Sequence, residues 1–398
     1  MMRRSIVLAL LVFAAAAHAQ GTRYQRLLIK NAFVIDGAGN PTRGPLDIVV
    51  EGSTITAITE SQARENGGST PAEAHALVKQ VKVKGAKGLK VFIEPPEVWA
   101  AIAEEAKAQD LPIATDLKIQ QTDAIAASRY GVRSIEHWYG IPDAAIPGPQ
   151  DFPDYYNYDN ELDRFRWAGD LWRQADSARL SAVIDTMLAH NVTWDPTFAI
   201  YEANRDLQRA RSQPWFADYA HPAIMAQFEP DAARHGSYFF DWTTADEVRW
   251  RNNYRIWMRW VKEYEARGGN ITVGSDAGFI YELYGFTTIR ELEMQQEAGF
   301  QPLDVIQHAT LNGAKLLGLA NTGVVRPGYK ADLLIVDANP LHNFKVLYIG
   351  GVQTAENGKL VRKGGVKFTI KDGVVFDATA LAADVREEVK AAKSAAAH

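Results

Sequence analysis

The chain has 398 residues, of which 47% are hydrophobic and 23% are charged. This is ordinary globular composition, and the length allows a large domain together with a smaller one. The formal net charge of −5 argues against a nucleic-acid partner, which would need a basic surface. The absence of cysteine removes disulfides, thiolate ligands and thiol nucleophiles from consideration.

The first 19 residues have the pattern of a secretory signal peptide. Two arginines precede an apolar run at residues 6–17, and an A-x-A cleavage pattern ends at Ala19. The run is too short to cross a bilayer, and a buried N-terminal helix is the alternative interpretation. We therefore expect cleavage after Ala19, a periplasmic or secreted protein, and no membrane span.

Both ends of the remaining chain have the composition of β-structure. Residues 27–59 and 331–376 are rich in β-branched side chains, and glycine and proline interrupt them. Two β-rich ends around a different middle predict one small β-sandwich, built from residues 20–60 together with residues 320–380. The alanine- and lysine-rich segment from Lys390 onward is predicted to fray.

The middle of the chain, residues 61–319, alternates strand and helix patterns. Alternation of this kind predicts an α/β fold with a parallel sheet, either doubly wound or closed into a barrel. Five strands are visible, whereas a closed (β/α)8 TIM-type barrel needs eight. The five predicted strands cover residues 89–94, 112–117, 134–138, 192–200 and 270–277.

Three of these strands end in a residue that can do chemistry, namely Asp116, His137 and Asp276. Lys90 lies early in a fourth strand. Reactive residues of (β/α) barrels cluster at the carboxyl ends of the strands, so this placement favours a barrel, which would be incomplete, over an open sheet.

The segment from residue 139 to residue 260 is a long insertion that is rich in aromatic residues. Eight of the ten tryptophans lie between Trp167 and Trp260. Aromatic side chains mostly serve packing, so the insertion is predicted to be a helical cap with its own core. The alternative is that some of these rings line a substrate pocket over the mouth of the barrel.

The four polar residues of the strands suggest a metal-dependent hydrolytic centre. Imidazole and carboxylate are good zinc ligands, and a catalytic zinc keeps one position open for water. Asp276 suits the general base that takes a proton from this water. Lys90 becomes a plausible ligand only as a carbamate, which requires a neutral amine and hence a lysine whose pKa is lowered by burial.

Each of these residues also has an ordinary structural interpretation. Asp116 and Asp276 are typical of helix caps or turns. His137 is typical of a buried histidine whose ring nitrogens are hydrogen-bonded within the core. Lys90 is typical of a solvated strand face. Tyr139, which follows His137 closely, would contact substrate or simply pack.

Five stretches in order along the chain carry a family resemblance, namely NAFVIDGAGNPTRGPLDIVVEGSTITAI, GLKVF, GVRSIEHWYG, NITVGSDAGF and ATLNGAKLLGLANTGVVRPGYKADLLIVDANPL. They resemble the amidohydrolase superfamily, close to its exported imidazolonepropionase- or prolidase-like branch. The match extends over nearly the whole chain after the signal peptide, and the long C-terminal stretch is its most specific part.

The resemblance implies a metal-dependent (β/α)8 barrel with a β-sandwich formed by both chain ends. It implies that Lys90 is a bridging carbamate ligand, that His137 is a ligand from the sixth strand, and that Asp276 is both ligand and general base. One or two divalent ions of the zinc type are the implied cofactor. The implied reaction is hydrolysis of a C–N bond in an amide, cyclic amide or peptide-like small molecule.

The chain departs from the family pattern in two places. The His-x-His pair that the family places on its first barrel strand is absent. The segment between residues 59 and 89 is also too short for three βα units of about 30 residues each. Asp116 stands where the family has a histidine ligand, and a carboxylate is a harder, anionic ligand than imidazole.

Three explanations of these departures stay open. The chain is a deletion product or the result of a faulty gene assembly, or it is a degenerate, non-catalytic binding protein. Otherwise it binds one metal ion through Asp116, His137, Asp276 and Lys90. A barrel without its first strands would expose an open flank, which favours a homo-oligomer.

Overall fold

The computed structural model describes residues 25–34, 43–60, 70–92, 94–117, 122–157, 160–231, 238–278 and 280–396. The predicted signal peptide lies outside the described residues. The chain divides into two compact units, residues 1–68 and residues 69–398. Within the described ranges, no helix has both the length and the apolar character that a membrane span requires.

Thirteen strands and fifteen α-helices occur in the described part of the chain. The strands are β1 (Arg26–Val34), β2 (Arg43–Glu51), β3 (Thr54–Glu60), β4 (Leu89–Val91), β5 (Ile113–Thr115), β6 (Ser134–Glu136), β7 (Thr193–Asp195), β8 (Asn270–Ile271), β9 (Leu333–Val336), β10 (Val352–Glu356), β11 (Lys359–Lys363), β12 (Val366–Lys371) and β13 (Val374–Asp377). The helices are α1 (Pro71–Val83), α2 (Pro96–Ala108), α3 (Ala124–Arg129), α4 (Glu161–Ala168), α5 (Leu171–Gln174), α6 (Ser177–Ala189), α7 (Glu202–Arg205), α8 (Leu207–Arg211), α9 (Phe216–Tyr219), α10 (Pro222–Phe228), α11 (Thr244–Ala266), α12 (Thr287–Glu297), α13 (Pro302–Gln307), α14 (Gly313–Leu316) and α15 (Ala378–Ala396).

The first unit contains one antiparallel sheet in the order β1-β2-β3. Ile48 on the central strand pairs with Ile29 on one side and with Ile58 on the other. Runs of β-branched residues favour such pleated surfaces, which agrees with the β-structure predicted for residues 27–59.

The second unit is built around a parallel sheet in the order β4-β5-β6-β7-β8. These are the five strands predicted from the sequence, and each is only two or three residues long. Helices follow the strands, as α2 follows β4 and α3 follows β5, which gives the predicted α/β fold. The described residues form an open five-stranded sheet, and they contain no closed barrel.

Local sequence signals set where the helices begin. Thr70 and Glu73 form a capping box at the start of α1, and Asp123 caps α3 by accepting from the backbone N–H of Ala126 at 2.8 Å. These caps satisfy backbone N–H groups that the first helical turn leaves without partners.

Aromatic side chains of the insertion are packed in the main hydrophobic core, while the role of the insertion as a separate cap stays a prediction. Trp138, which directly precedes the insertion, contacts the rings of Trp172, Trp250 and Trp257 at centroid distances of 6.0 to 6.3 Å. All four tryptophans are fully buried. The insertion thus stabilises the side of the sheet at which β6 and β7 end.

The C-terminal part of the second unit is again rich in β-structure, with a sheet in the order β13-β12-β9 and a β10-β11 hairpin. Its predicted association with residues 20–60 in one sandwich stays a prediction. Fraying from Lys390 was wrong, because α15 runs to Ala396. Val389 is buried, and Lys393 Nζ donates to the carbonyl oxygen of Ala217 at 2.6 Å.

Candidate functional site

The parallel sheet brings Asp116, His137 and Asp276 to one edge. Asp116 follows β5 directly, His137 follows β6 directly, and Asp276 comes shortly after β8. Backbone hydrogen bonds hold the first two in place. The N–H of Asp116 donates to the carbonyl of Val91 at 3.2 Å, and that of His137 to the carbonyl of Asp195 at 2.8 Å. The carboxyl ends of parallel strands meet at one edge, which explains the convergence.

The imidazole of His137 faces both carboxylates through one ring nitrogen. Its Nε2 lies 3.5 Å from Asp116 Oδ2 and 3.7 Å from Asp276 Oδ2. His137 and Asp116 are buried, whereas 37% of the Asp276 side chain is exposed. The site therefore has a buried inner pair and an outer carboxylate that solvent can reach.

The other ring nitrogen of His137 has a partner that the sequence did not reveal. Nδ1 contacts the hydroxyl of Thr197, sixty residues further along the chain. Trp194 Nε1 also donates to the carbonyl oxygen of His137 at 2.6 Å. Because Nδ1 and the backbone are held in this way, Nε2 is left to face the two carboxylates.

Three residues of the site, or next to it, have a left-handed backbone conformation. His137, Thr197 and Asp276 have φ angles of 61°, 47° and 48°, which lie in the left-handed region. Non-glycine residues adopt this region rarely, and a β-branched threonine pays the largest steric penalty. Strained residues of this kind persist only where the surrounding structure holds them, and they are typical of active and ligand-binding sites.

Neither aspartate is a helix cap in the described structure. The helix after Asp116 is α3, which Asp123 caps, and the helix after Asp276 is α12, which begins at Thr287. One oxygen of Asp116, Oδ1, is buried without a hydrogen-bond partner. A buried carboxylate oxygen without a donor costs free energy, so stability does not explain why Asp116 lies there.

Lys90 contributes to the same pocket but not in the way a carbamate would require. Its side chain is exposed, and the ammonium lies 5.2 Å from the centre of the Phe92 ring. The sequence argument for a carbamate depended on burial that would favour the neutral amine. The described structure does not provide that burial.

A cavity of about 230 Å³ lies in front of these residues. Most of its wall is apolar or aromatic, and its polar groups include the His137 imidazole and the two carboxylates that face it. The lining residues are Lys90, Phe92, Asp116, His137, Tyr139, Phe165, Ile200, Tyr201, Asp276 and Ile280.

Tyr139 and Tyr201 place two hydroxyl groups on the wall of this cavity. The hydroxyl groups hydrogen-bond to each other, and both rings contact His137 edge-on. Burial raises the pKa of both tyrosines, so both remain neutral hydrogen-bond donors at physiological pH. Tyr139 was predicted to contact substrate, whereas nothing in its local sequence marked Tyr201.

A further aspartate at a strand end, Asp195, is buried and does not line the cavity. Burial raises the pKa of Asp195, and the nearby Glu136 and Glu291 carboxyl groups add to this effect. Its position at the end of β7 matches that of the other strand-end residues, so the signal was present in the sequence. A Cβ atom at Gly274 would lie 2.5 Å from Asp195 Oδ2, which explains why glycine precedes the Ser-Asp pair after β8.

The spacing of the donor atoms around His137 Nε2 can be compared with the spacing of ligands on one divalent metal ion. Two ligands of a tetrahedral zinc lie about 3.4 Å apart, because each is about 2.1 Å from the ion. The two distances from His137 Nε2 are close to this value, and the unpartnered Asp116 Oδ1 supplies a further donor. Within the described ranges, however, no group of three or more His, Asp or Glu side chains is already arranged to hold an ion.

A comparison with protein families identifies the family of this chain. A profile described as "Amidohydrolase family" matches residues 45–376, which is most of the sequence, and the chain therefore belongs to the amidohydrolase family. The resemblance read from the sequence is confirmed.

Curated relatives match only parts of the chain. An adenine deaminase from Petrotoga mobilis is 52% identical over 62 residues, covering 15% of this chain and 11% of that protein. An adenine deaminase from Lysinibacillus sphaericus is 29% identical over 142 residues, covering 35% of this chain and 23% of the relative. The chain thus spans less than a quarter of the length of either relative.

One solved structure covers nearly the whole fold. A bottromycin amidohydrolase matches with a TM-score of 0.55 and 15% sequence identity, covering 93% of this chain and 91% of that chain. At this level of identity the match shows a shared fold and leaves the reaction of this chain open.

Proposed function

We propose that this protein hydrolyses a C–N bond of a small amide, cyclic amide or peptide-like substrate. The observation that carries the proposal is the position of His137 Nε2, which faces the carboxylates of Asp116 and Asp276 in the lining of one cavity. Membership of the amidohydrolase family supports the same reaction class.

Asp116, His137 and Asp276 are the residues that would hold one divalent cation of the zinc type. Such an ion, when bound, polarises a carbonyl oxygen and lowers the pKa of the attacking water. Two carboxylates and one neutral imidazole suit this charge, and the unpartnered oxygen of Asp116 would gain a partner. Lys90 lines the cavity as an exposed ammonium, and it is not needed to hold this single ion.

Asp276 is the general base in this proposal. It is the most exposed of the three residues, so water and substrate can reach its carboxylate. Its oxygen accepts the proton of the attacking water and then donates it to the leaving nitrogen, which avoids expulsion of an amide anion. The left-handed backbone at Asp276 turns the chain sharply after the strand and aims the carboxylate into the cavity.

The other residues of the cavity wall indicate the chemical character of the substrate. Phe92, Phe165, Ile200 and Ile280 form an apolar surface that would bind an apolar or aromatic group next to the scissile bond. Tyr139 lies where a neutral hydroxyl can donate to the substrate carbonyl oxygen as negative charge develops there.

The proposal is tested by metal content and hydrolysis on the full chain. The protein is loaded with zinc, freed of unbound metal and analysed by mass spectrometry of bound ions. It is then assayed with a panel of N-acyl amino acids, cyclic amides, dipeptides and adenine. We expect about one tightly bound ion and turnover of at least one amide, both lost in His137→Asn and Asp276→Asn.

The matched controls are His190→Asn and Asp337→Asn, which make the same chemical changes at exposed positions far from the cavity lining. Both controls should keep wild-type metal content and turnover. A folded protein that binds no metal and cleaves no member of the panel would contradict the proposal and favour a non-catalytic binding protein.

A further inference from the structure

Among the buried polar side chains of helix α12, Glu291 and Gln295 are two that the proposed mechanism does not use. Glu291 and Gln295 are four residues apart, so they lie on the same face of the helix. Both are fully buried, and Gln295 Nε2 lies 3.2 Å from Glu291 Oε1. Neither residue lines the cavity. Polar groups are buried at a cost, so their remaining contacts indicate what they are for.

Glu291 reaches the segment that orients His137. Its Oε2 accepts a hydrogen bond of 2.8 Å from the backbone N–H of Ala199. Ala199 belongs to a short 3-10 turn, Phe198–Tyr201, which begins directly after Thr197. Since the hydroxyl of Thr197 contacts His137 Nδ1, the carboxylate of Glu291 fixes the turn that holds the imidazole.

Gln295 reaches the segment that presents Asp276. Its Nε2 donates to the carbonyl oxygen of Thr272 at 2.9 Å, four residues before Asp276. The amide cannot rotate freely, because its Oε1 faces His308 Nδ1 at 2.8 Å. The adjacent carbonyl, that of Ile271, accepts from Asn312 Nδ2 at 2.9 Å. Two side chains that follow β8 in the chain, Gln295 and Asn312, therefore hold the backbone carbonyl groups at the end of this strand.

We propose that Glu291 and Gln295 are positioning residues, which set the distance between His137 and Asp276 from a single helix face. The inference rests on the proposed function for its meaning in catalysis, while the positioning itself is a structural statement. Both segments that α12 holds contain a left-handed residue, Thr197 in one and Asp276 in the other. Strained backbone needs external support of this kind to keep one conformation.

At pH 8, above its raised pKa of about 7, Glu291 is a carboxylate whose two oxygens both accept hydrogen bonds. The N–H of Ala199 and the amide Nε2 of Gln295 are both donors, and they approach different oxygens of Glu291. A glutamine at this position would offer one oxygen and one NH2 group, so one of the two donors would face another donor. Glu291→Gln therefore removes one hydrogen bond at nearly constant volume, which makes it a precise test.

The experiment compares Glu291→Gln and Gln295→Met with the control Glu297→Gln. Glu297 lies on the same helix, but its side chain is 46% exposed and pairs with Arg205 at the surface. All variants are measured at pH 8, with the melting temperature as a check of folding. Two readouts are used: kcat and KM on the best substrate, and the 1H–15N signals of the His137 imidazole, assigned by their loss in His137→Asn.

We expect kcat to fall about ten- to a hundred-fold in both test variants, because small displacements of catalytic groups have effects of this size. KM should stay within about two-fold, since the cavity wall is unchanged. The imidazole signals of His137 should shift in Glu291→Gln and stay in place in Glu297→Gln.

Unchanged His137 signals and unchanged kcat in two folded test variants would overturn the positioning role. If the wild type turns over no substrate, the proposed function fails, but the imidazole signals still decide the positioning role. If Glu291→Gln does not fold, Gln295→Met decides through its own two readouts.

Discussion

Two neighbouring regions of this protein bury charged side chains, and they treat them in opposite ways. In the first, Glu202 on α7 and Arg290 on α12 form a two-pronged ion pair, with N–O distances of 2.8 and 2.5 Å. In the second, His137 Nε2 lies 3.5 Å or more from both carboxylates, and one oxygen of Asp116 has no partner. The charged groups of the first region are paired with each other. Those of the second region are not closely paired with each other, so they can interact with a ligand.

The backbone shows the same contrast. Glu202 and Arg290 lie within regular helices, while His137 and Asp276 occupy left-handed conformations just beyond strand ends. A buried pair depends on both of its partners, so the loss of either one is destabilising, whereas strained and unpaired groups are typical of sites that bind a ligand. The comparison predicts that substitutions in the two regions separate stability from function.

The largest expected effect is the loss of stability in Arg290→Met. This change leaves the fully buried carboxylate of Glu202 without its two-pronged partner. Breaking one partner of a buried pair typically destabilises a protein by about 3–5 kcal/mol. Arg209 Nε stays 3.1 Å from Glu202 Oε1, so we expect a loss at the lower end of this range, about 3 kcal/mol, which urea denaturation would measure. The control is Arg211→Met, which breaks an exposed pair with Glu229 and should cost less than about 1 kcal/mol. Equal losses in both variants would show that burial does not increase the contribution of the Glu202–Arg290 pair, and the first region would lose its proposed role in stability.

The second effect concerns the pH dependence of stability and centres on Glu291. Burial raises the pKa of Glu291 from 4.5 to about 7, against the opposing effects of its hydrogen bonds with Ala199 and Gln295 and of the charge of Arg290. The folded state thus binds this proton more tightly than the unfolded state. Its contribution to stability is full below about pH 4.5 and is lost as the pH rises through about 7.

The size of this contribution is on the order of 3 kcal/mol, because one pKa unit corresponds to about 1.4 kcal/mol. Urea denaturation between pH 4.5 and 8 would show it as a fall in the free energy of unfolding of the wild type. Glu291→Gln should reduce that fall, since an amide does not titrate. Asp143, Asp195 and Glu282, whose pKa values burial also raises, contribute to the part of the slope that should remain, and His308, whose pKa burial lowers, opposes it. An identical slope in wild type and Glu291→Gln would disprove the assignment to Glu291.

The sequence alone was sufficient for the framework of this site. Short apolar segments that end in Asp116, His137 and Asp276 predicted parallel strands, and the structure brings these three residues together. The roles of these residues as metal ligands and base stay predictions. Strand ends are readable because periodicity and chain breaks are local properties of a sequence.

The supporting contacts were not readable in the same way. Thr197 lies 60 residues from His137, and Glu291 lies 92 residues from Ala199. Such contacts depend on how helices return to the sheet, and no local pattern encodes them. The left-handed backbone at His137 is likewise invisible in the sequence, because histidine is not a residue that signals a turn.

The smallest expected effect is on the stability of Asp116→Asn, and it is the sharpest test of the comparison. Asp116 is as buried as Arg290, yet its Oδ1 has no partner and its Oδ2 lies beyond hydrogen-bond distance of His137. The substitution removes a weak attraction to the imidazole together with the cost of burying a charge, and these two terms oppose each other. We expect the unfolding free energy of the metal-free protein to change by less than about 1 kcal/mol, while metal binding and turnover are lost. A loss above about 2 kcal/mol in urea denaturation would mean that Asp116 is a structural ion-pair partner of His137, and the second region would then resemble the first.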